Sequence, residues 1–285
     1  MFKLILPESV WLNGVIFTPG ASVNIVLYLF CLLGVIAAAY LCGSVSSAII
    51  LSKMMYGEDI RTKGSGNAGM TNMMRNFGLG PAALTLIGDM LKTMIGMLIG
   101  TLLLGVNGAY IAGLFCVLGH VFPAFYKFKG GKGVAATVMI ILYLDIVAFA
   151  LMLAVFVLIV WVTKYLSLGS VMLALIFPLV LYRNDSVIED RPIRLFVTFI
   201  IAGIVVYLHR ANIKRIMNGT ESKFKFKKTA KADKNVHIQT EENLLSDVGN
   251  EALESENEGK EAEELTEEVL KRKEMNRKKS AKKKK

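Results

Sequence analysis

Reactive side chains are scarce in this chain, with three cysteines and three histidines over 285 residues. Each scarcity excludes something. Cys31, Cys42 and Cys116 all lie inside apolar segments, so they read as small buried hydrophobes and not as a disulfide framework. Two separated histidines without nearby carboxylates make a poor metal set, so no metal and no cofactor is expected. The first long apolar run begins near Val23 and has no A-x-A-like exit, which predicts no cleavable signal peptide. The sequence shows no internal repeat, which argues against the inverted-repeat plan of a transporter. A dinucleotide turn is missing too. Gly64-x-Gly66-x-x-Gly69 has the spacing, but LSKMMYGEDIRTK before it is polar and charged, with no β-branched run to build the buried strand. GGKG is no Walker loop, because Tyr126 stands where the glycine five residues before Gly131 would be.

What the chain has in excess is apolar length. It is 54% hydrophobic with a mean hydropathy of +0.50, although its last sixty or so residues are very polar. Apolar segments run at about 23–50, 81–105, 109–127, 133–147, 147–163, 168–182 and 193–209. They predict an all-α polytopic membrane protein with about seven spans, several of them short for a hydrocarbon core of about 30 Å. The division at 147 rests on one charged residue, Asp145. Lys53, Arg61, Lys63, Arg75, Lys127, Lys129, Lys132 and Lys164 mark cytoplasmic loops, and LGVNGAY and LYLDI carry no positive charge. That pattern places the N-terminus outside and the C-terminus in the cytoplasm. One link dissents, since YRNDSVIEDRPIR has three arginines on the outer side, balanced by three acids.

The net charge of +10 sits in short loops and in the tail, so nucleic acid is not implied. Residues 1–22 are expected to form an interfacial segment with Trp11 at headgroup level. Residues 23–221 form the membrane domain, and 222–285 a charged, largely disordered cytoplasmic tail. The tail runs from SKFKFKKTAKADK through a strongly acidic block to KRKEMNRKKSAKKKK, and it cannot bury enough apolar area to offset the entropy of ordering. Its basic ends are suited to anionic lipid headgroups, at about 1 kcal/mol per positive side chain.

Three polar clusters flank these segments on the predicted cytoplasmic side. The first joins Gly43-Ser44 to Arg61 and GSGNAGMTNMMRNFG, offering Gly64, Ser65, Gly66, Asn67, Thr71, Asn72 and Arg75. The second, GHVFPAFYKFKGGKG, offers His120 and the glycines Gly130, Gly131 and Gly133 around Lys132. The third, HRANIKRIMNGTE, offers His209, Arg210, Asn212, Arg215 and Glu221. Consecutive glycines let backbone N–H groups converge on an anion. Lysine adds a compact charge, and arginine grips phosphate through two parallel bonds. The physical reading is a phosphate-binding site, and the plainer alternative is ordinary basic loops with glycine turns. His209 also suits a residue that snorkels from a span end, and His120 one that packs between helices. Asp89 and Lys92, one turn apart in an apolar segment, read as an interior ion pair.

In those residues the chain closely resembles the bacterial acyl-phosphate:glycerol-3-phosphate acyltransferase family, small integral membrane enzymes that make lysophosphatidic acid. The resemblance is carried by Gly43-Ser44, DIRTKGSGNAGMTNMMRNFG, GHVFPAFYKFKGGKGVA, Ser167-Leu168-Gly169-Ser170 and HRANIKRIMNGTE, in order over about residues 23–221. Thr93, Ala136 and Lys164 depart from the family pattern; a threonine common after GGKGVA is displaced here to Thr137. The resemblance implies direct attack by the glycerol 3-phosphate 1-hydroxyl on an acyl phosphate, with no covalent enzyme intermediate. It implies that Ser44, Arg61, the GGKG loop with Lys132, and Ser167 line the acyl-phosphate pocket. Arg61, Lys132, His209 and Asn212 would orient glycerol 3-phosphate. The proton would pass to the substrate's own phosphate, with His209 the alternative acceptor. The tail lies outside every matching motif, so a chain truncated after about residue 222 should keep its acyl transfer. Loss of all turnover in a well-expressed truncated protein would make the tail part of the active assembly.

Overall fold

The computed structural model of the protein describes residues 6–16, 24–184 and 191–224, with the side chains of 183, 184 and 191 left out. The chain divides into a unit of Met1–Lys225 and one of Phe226–Lys285. The second unit, and with it nearly all of the expected tail, lies outside the described residues.

All regular structure among those residues is helical. A short helix, α1 (Glu8–Asn13), precedes α2 (Ile25–Ser44), which starts where Asn24 Oδ1 accepts from the Val26 and Leu27 amides. A break at Val45 and Ser46 separates α2 from α3 (Ser47–Tyr56), which ends on Gly57 in the left-handed region at φ 66°. Next come α4 (Met70–Phe77), α5 (Leu79–Val121), α6 (Val134–Leu144) and α7 (Ile146–Thr163). Then follow α8 (Leu166–Asn184), α9 (Arg191–Leu208) and α10 (Arg210–Met217). Asp145 does divide its apolar stretch. Its carboxylate caps α7 by accepting from the Val147 and Ala148 amides at 2.8 and 2.9 Å, a local interaction that ends one helix and begins the next.

The 43 residues of α5 do not form one rod. Leu104 (φ −128°, ψ 18°) and Gly105 (φ 63°, ψ −155°) leave helical geometry. A Cβ added to Gly100 would strike the Gly108 carbonyl, and one added to Gly108 would strike that of Gly100. Eight residues of unbroken helix would hold those positions about 12 Å apart. The chain therefore reverses at 104–105, and α5 is a hairpin whose limbs, about 79–103 and 106–121, match two of the expected segments. Asp89 on the first limb is 1% exposed and pairs with Lys92 at 2.9 Å, facing the interior as expected.

By length and composition, three of the described helical stretches can cross a membrane: Ile25–Tyr56, Leu79–Tyr126 and Ile146–Thr163. A fourth does if α9 and α10, bent by 53°, count together. Only 11% of the residues of the last of the three are buried, which leaves an apolar face that suits hydrocarbon and not water. Trp11 corrects an expectation. It is 5% exposed and stacks on Tyr143 at 6.1 Å, so α1 turns it into the bundle and not toward headgroups. Most of the dissenting link YRNDSVIEDRPIR lies outside the described residues, but Arg194 is 4% exposed and donates to Asn107 at 2.8 Å. That arginine is a packing group and says little about sidedness.

Small residues bring the two central elements together. A Cβ on Gly43 would collide with the Cys116 backbone, and one on Gly119 would meet Ser44 N at 2.9 Å. Gly34, on the same α2, has nothing within 4 Å. Gly43→Val should therefore lower stability by about 1–3 kcal/mol through overpacking, while Gly34→Val should change little. Thermal unfolding of the two purified variants in one detergent compares them, and equal midpoints would refute the close approach.

Candidate active site

The site is assembled by a run of hydrogen bonds that starts at a buried carboxylate. Glu221 follows α10 and is 6% exposed. Its Oε1 accepts from Ser167 Oγ and Asn212 Nδ2, both at 2.7 Å, and its Oε2 from Arg215 Nε at 2.7 Å. Burial alone would raise this carboxyl, but the three donors hold it below the usual carboxylate range. Asn212, on the first turn of α10, then accepts from the Lys132 ammonium through its own Oδ1. Residues 132, 167, 212 and 221 are thus joined into one polar chain from three distant stretches of sequence.

Lys132 sits between Gly131 and the start of α6. Burial pushes its pKa down to about 8, helped by the positive charges of Arg215 and Arg75 and opposed by Glu221. The neighbouring glycine amides are less free than a nest requires. Gly130 N–H donates to Val121 O at 3.1 Å and Gly131 N–H to His120 O at 3.0 Å. The open donors are one turn further on. Gly133, at φ 80°, opens α6, and the Val134, Ala135 and Ala136 amides precede the first intrahelical donor, Thr137. An anion beside Lys132 would therefore meet the positive end of α6. His209 is 3% exposed, and its Nδ1 lies 2.8 Å from Val205 O. A carbonyl only accepts, so Nδ1 carries a hydrogen, and in the neutral ring Nε2 then keeps a lone pair.

A sequence model described as glycerol-3-phosphate acyltransferase matches residues 33–219. A glycerol-3-phosphate acyltransferase of Clostridioides difficile (strain 630) is 41% identical over 198 residues, covering 67% of this chain and 94% of that one. One from Trichlorobacter lovleyi is 43% identical over 191 residues, covering 67% and 96%. The chain belongs to the glycerol-3-phosphate acyltransferase family. A crystal structure of PlsY, an integral membrane glycerol 3-phosphate acyltransferase, in its glycerol 3-phosphate form matches with a TM-score of 0.63 at 32% identity, covering 68% of this chain and 96% of that one. Its lysophosphatidic acid form matches with a TM-score of 0.60 at 31% identity.

Within this acyltransferase fold the three clusters converge, and several of their residues have protein partners. Arg61 spends its fork on the protein. Nε and Nη2 grip Asp59 at 2.7 to 3.3 Å, and Nη1 donates to Tyr126 O at 2.8 Å and Lys129 O at 3.3 Å. Those bonds from Arg61 hold the Asp59 carboxyl below its usual range, and they fasten the first cluster to the second. Asn72 is 1% exposed and is likewise engaged. Its Oδ1 accepts from Ser65 N, and its Nδ2 donates to the Ile60, Lys63 and Asn67 carbonyls at 3.0 to 3.1 Å. It shapes the GSGN loop and presents no free amide to a ligand. Gly64 and Gly66, at φ 54° and 70°, allow that loop to turn.

Ser44 is fully buried, donating to Tyr40 O at 2.8 Å and accepting from Ala124 N at 3.3 Å, so it pins the α5–α6 loop to α2. Arg210 is exposed, bonded to Tyr207 O and 4.3 Å above the Tyr207 ring, away from Lys132's partners. Thr137 closes onto its own helix at Gly133 O. Ser65, Asn67, Thr71 and Arg75 remain at least partly exposed on the loop and α4. Among the described residues no group of three His, Cys, Asp or Glu could hold a metal. The residue that sequence reasoning left without a role is Glu221. Its signals were its place at the end of the HRANIKRIMNGTE motif and its being the lone acid in that basic segment.

The lowered pKa of Lys132 sets a sign. Below about 8 the lysine is charged and attracts phosphate; above it the charge is lost. Affinity expressed for the phosphate dianion should be flat up to about pH 8 and then weaken, approaching tenfold per pH unit. Calorimetric titration at several pH values checks this, and Lys132→Arg should carry the flat region to higher pH. An affinity unchanged to pH 9.5 would remove Lys132 from the phosphate.

Proposed function

We propose that this protein transfers the acyl group of an acyl phosphate to the 1-hydroxyl of sn-glycerol 3-phosphate, giving lysophosphatidic acid and inorganic phosphate. The observation that carries this reading is the Lys132–Asn212–Glu221 chain. It sets one ammonium, oriented by a neutral amide, at the positive end of α6 and near enough to His209 for the two to interact by charge. An acyl phosphate is already activated, so the enzyme's task is to hold two mutually repelling anions and stabilise the charge passing between them. The substrate oxygen attacks the acyl carbon, the bond from that carbon to the phosphate oxygen breaks, and the leaving phosphate takes the hydroxyl proton. Lys132 and the α6 amides receive the charge that builds on the phosphate, and Ser167 stays near through Glu221. His209 Nε2 is the alternative proton acceptor, and its free lone pair is what favours it.

In the same proposal the helices make seven crossings, counting the limbs of α5 separately, with the N-terminus outside the cell membrane and the site facing the cytoplasm. Residues 1–22, 23–221 and 222–285 remain the N-terminal segment, the catalytic domain and the charged tail. At 11 residues, α6 is about 16 Å long and covers about half the hydrocarbon depth. The short α6 therefore fits a site recessed below the headgroups. The acyl chain lies in an apolar groove open to the inner leaflet, and the tail's basic ends rest on anionic lipid.

Purified full-length protein in lipid nanodiscs should release inorganic phosphate from acyl phosphate only when glycerol 3-phosphate is added, with lysophosphatidic acid seen by mass spectrometry. Acyl-CoA and acyl-carrier-protein thioesters should not substitute, since no extended adenine-nucleotide site accompanies the small glycine loops. Equal turnover of a thioester would overturn the donor assignment. Uptake of glycerol 3-phosphate into vesicles without any acyl transfer would replace the enzyme by a transporter.

A further inference from the structure

Next to the proposed phosphate site lies a buried charged group that the reaction above does not use. Lys92 Nζ is within 2.9 Å of Asp89 Oδ1, 2.5 Å of Val45 O and 3.1 Å of His120 Nδ1. An ammonium has three hydrogens and accepts nothing. Held against a carboxylate at 2.9 Å, Lys92 is that ammonium; it pairs with Asp89 by charge and directs hydrogens to Val45 O and His120 Nδ1. His120 Nδ1 is then an acceptor and carries no hydrogen. Asp89 Oδ1 stands 3.7 Å from Nδ1, beyond hydrogen-bond reach, so it does not claim a proton there. A neutral imidazole keeps its one hydrogen on the other nitrogen, Nε2.

Nε2 points at the GGKG loop. His120 is 5% exposed. A Cβ on Gly131 would strike Nε2, with His120 Cε1 and Ala68 O each 2.7 Å away. The ring edge therefore rests on the Gly131 Cα, opposite the GSGNAG loop. His120 O also accepts the Gly131 N–H, so one residue registers the loop by main chain and side chain together. Among the described residues no protein group accepts from Nε2; the ring's polar contacts are both at Nδ1. His209 is the reverse case, with its hydrogen on Nδ1 and its lone pair on Nε2.

We propose that Asp89 and Lys92 are positioning residues that hold His120 as its neutral, Nε2-protonated form, so that His120 donates a hydrogen bond to a phosphate oxygen seated on the GGKG loop. This rests on the reading of that loop as a phosphate site. The ligand class is a phosphate monoester or acyl phosphate. The fixed tautomers make the two site histidines complementary. His120 is a donor for phosphate and His209 an acceptor.

The full-length protein carrying ring-15N histidine, in lipid nanodiscs, tests the tautomer without any variant that could misfold. Three histidines are present, and the His120 signals are those lost in His120→Gln. Near neutral pH, Nε2 should give the protonated signal and Nδ1 the lone-pair signal, and inorganic phosphate should shift Nε2. Lys92→Met should let the two forms mix. In turnover, His120→Leu keeps packing and loses the donor, while His120→Gln keeps an N–H near Nε2. The KM of at least one phosphate-bearing substrate should rise about tenfold or more in His120→Leu, with substantial recovery in His120→Gln. A ring hydrogen on Nδ1, a doubly protonated ring, an Nε2 indifferent to phosphate, or a leucine variant as good as the glutamine one would each overturn the proposal. If Nε2 responds to phosphate but no acyl transfer occurs, the donor role stands and the acyltransferase reading falls.

Discussion

The carboxylate of Glu221 is the interaction on which the site's geometry depends. Taking a charge out of water is costly unless every lone pair finds a donor. Here the donors come from α8 (Ser167) and from the first and last turns of α10 (Asn212 and Arg215). A hydrogen bond to a charged group is generally worth about 1.5–3 kcal/mol, so three of them hold these elements in one arrangement. Asn212 passes that order on to Lys132. A primary amide can do so because it donates through nitrogen and accepts through oxygen. The lysine is thereby aimed without a carboxylate of its own to neutralise it.

That aim has an electrostatic consequence. Lys132 is largely buried, in a field made more positive by Arg215 and Arg75, and its pKa falls to about 8. An incoming phosphate reverses the balance, because an opposite charge within a few ångströms favours the ammonium. The site is thus least comfortable when empty and most settled when an anion is present. Arg61 contributes at one remove. By binding Asp59 and the carbonyls of Tyr126 and Lys129, it fixes the loop that leads into Gly130–Gly133.

Close helix contact makes room for all this. Gly43 and Gly119 let α2 press against the second limb of α5, and Gly100 and Gly108 let the limbs of α5 meet. In hydrocarbon the drive between helices is packing and hydrogen bonding, since lipid is as apolar as leucine. Glycine contacts and the Asp89–Lys92–Val45 group are the two forms that drive takes here. Helix α7 is by contrast almost uniformly apolar and largely uncovered.

The sequence by itself determined the helical class, the apolar segments, the break at Asp145 and the three polar clusters. Those are local properties, set by hydropathy, capping and glycine turns within a few residues. The family was legible for the same reason, because its motifs are short and in order. Tertiary structure alone decided who bonds to whom. Ser44, Arg61 and Asn72 carry the right groups for a phosphate, yet in the fold their donors meet protein acceptors first. The glycine amides of GGKG turn to His120 and Val121, which leaves the open donors at the start of α6. Arg210 faces outward onto Tyr207, and Trp11 faces inward onto Tyr143. Glu221 became the hub. A donor is available to a ligand only if no nearer acceptor has saturated it, and nearness across a hundred residues is written in the packing of helices, not in the order of letters.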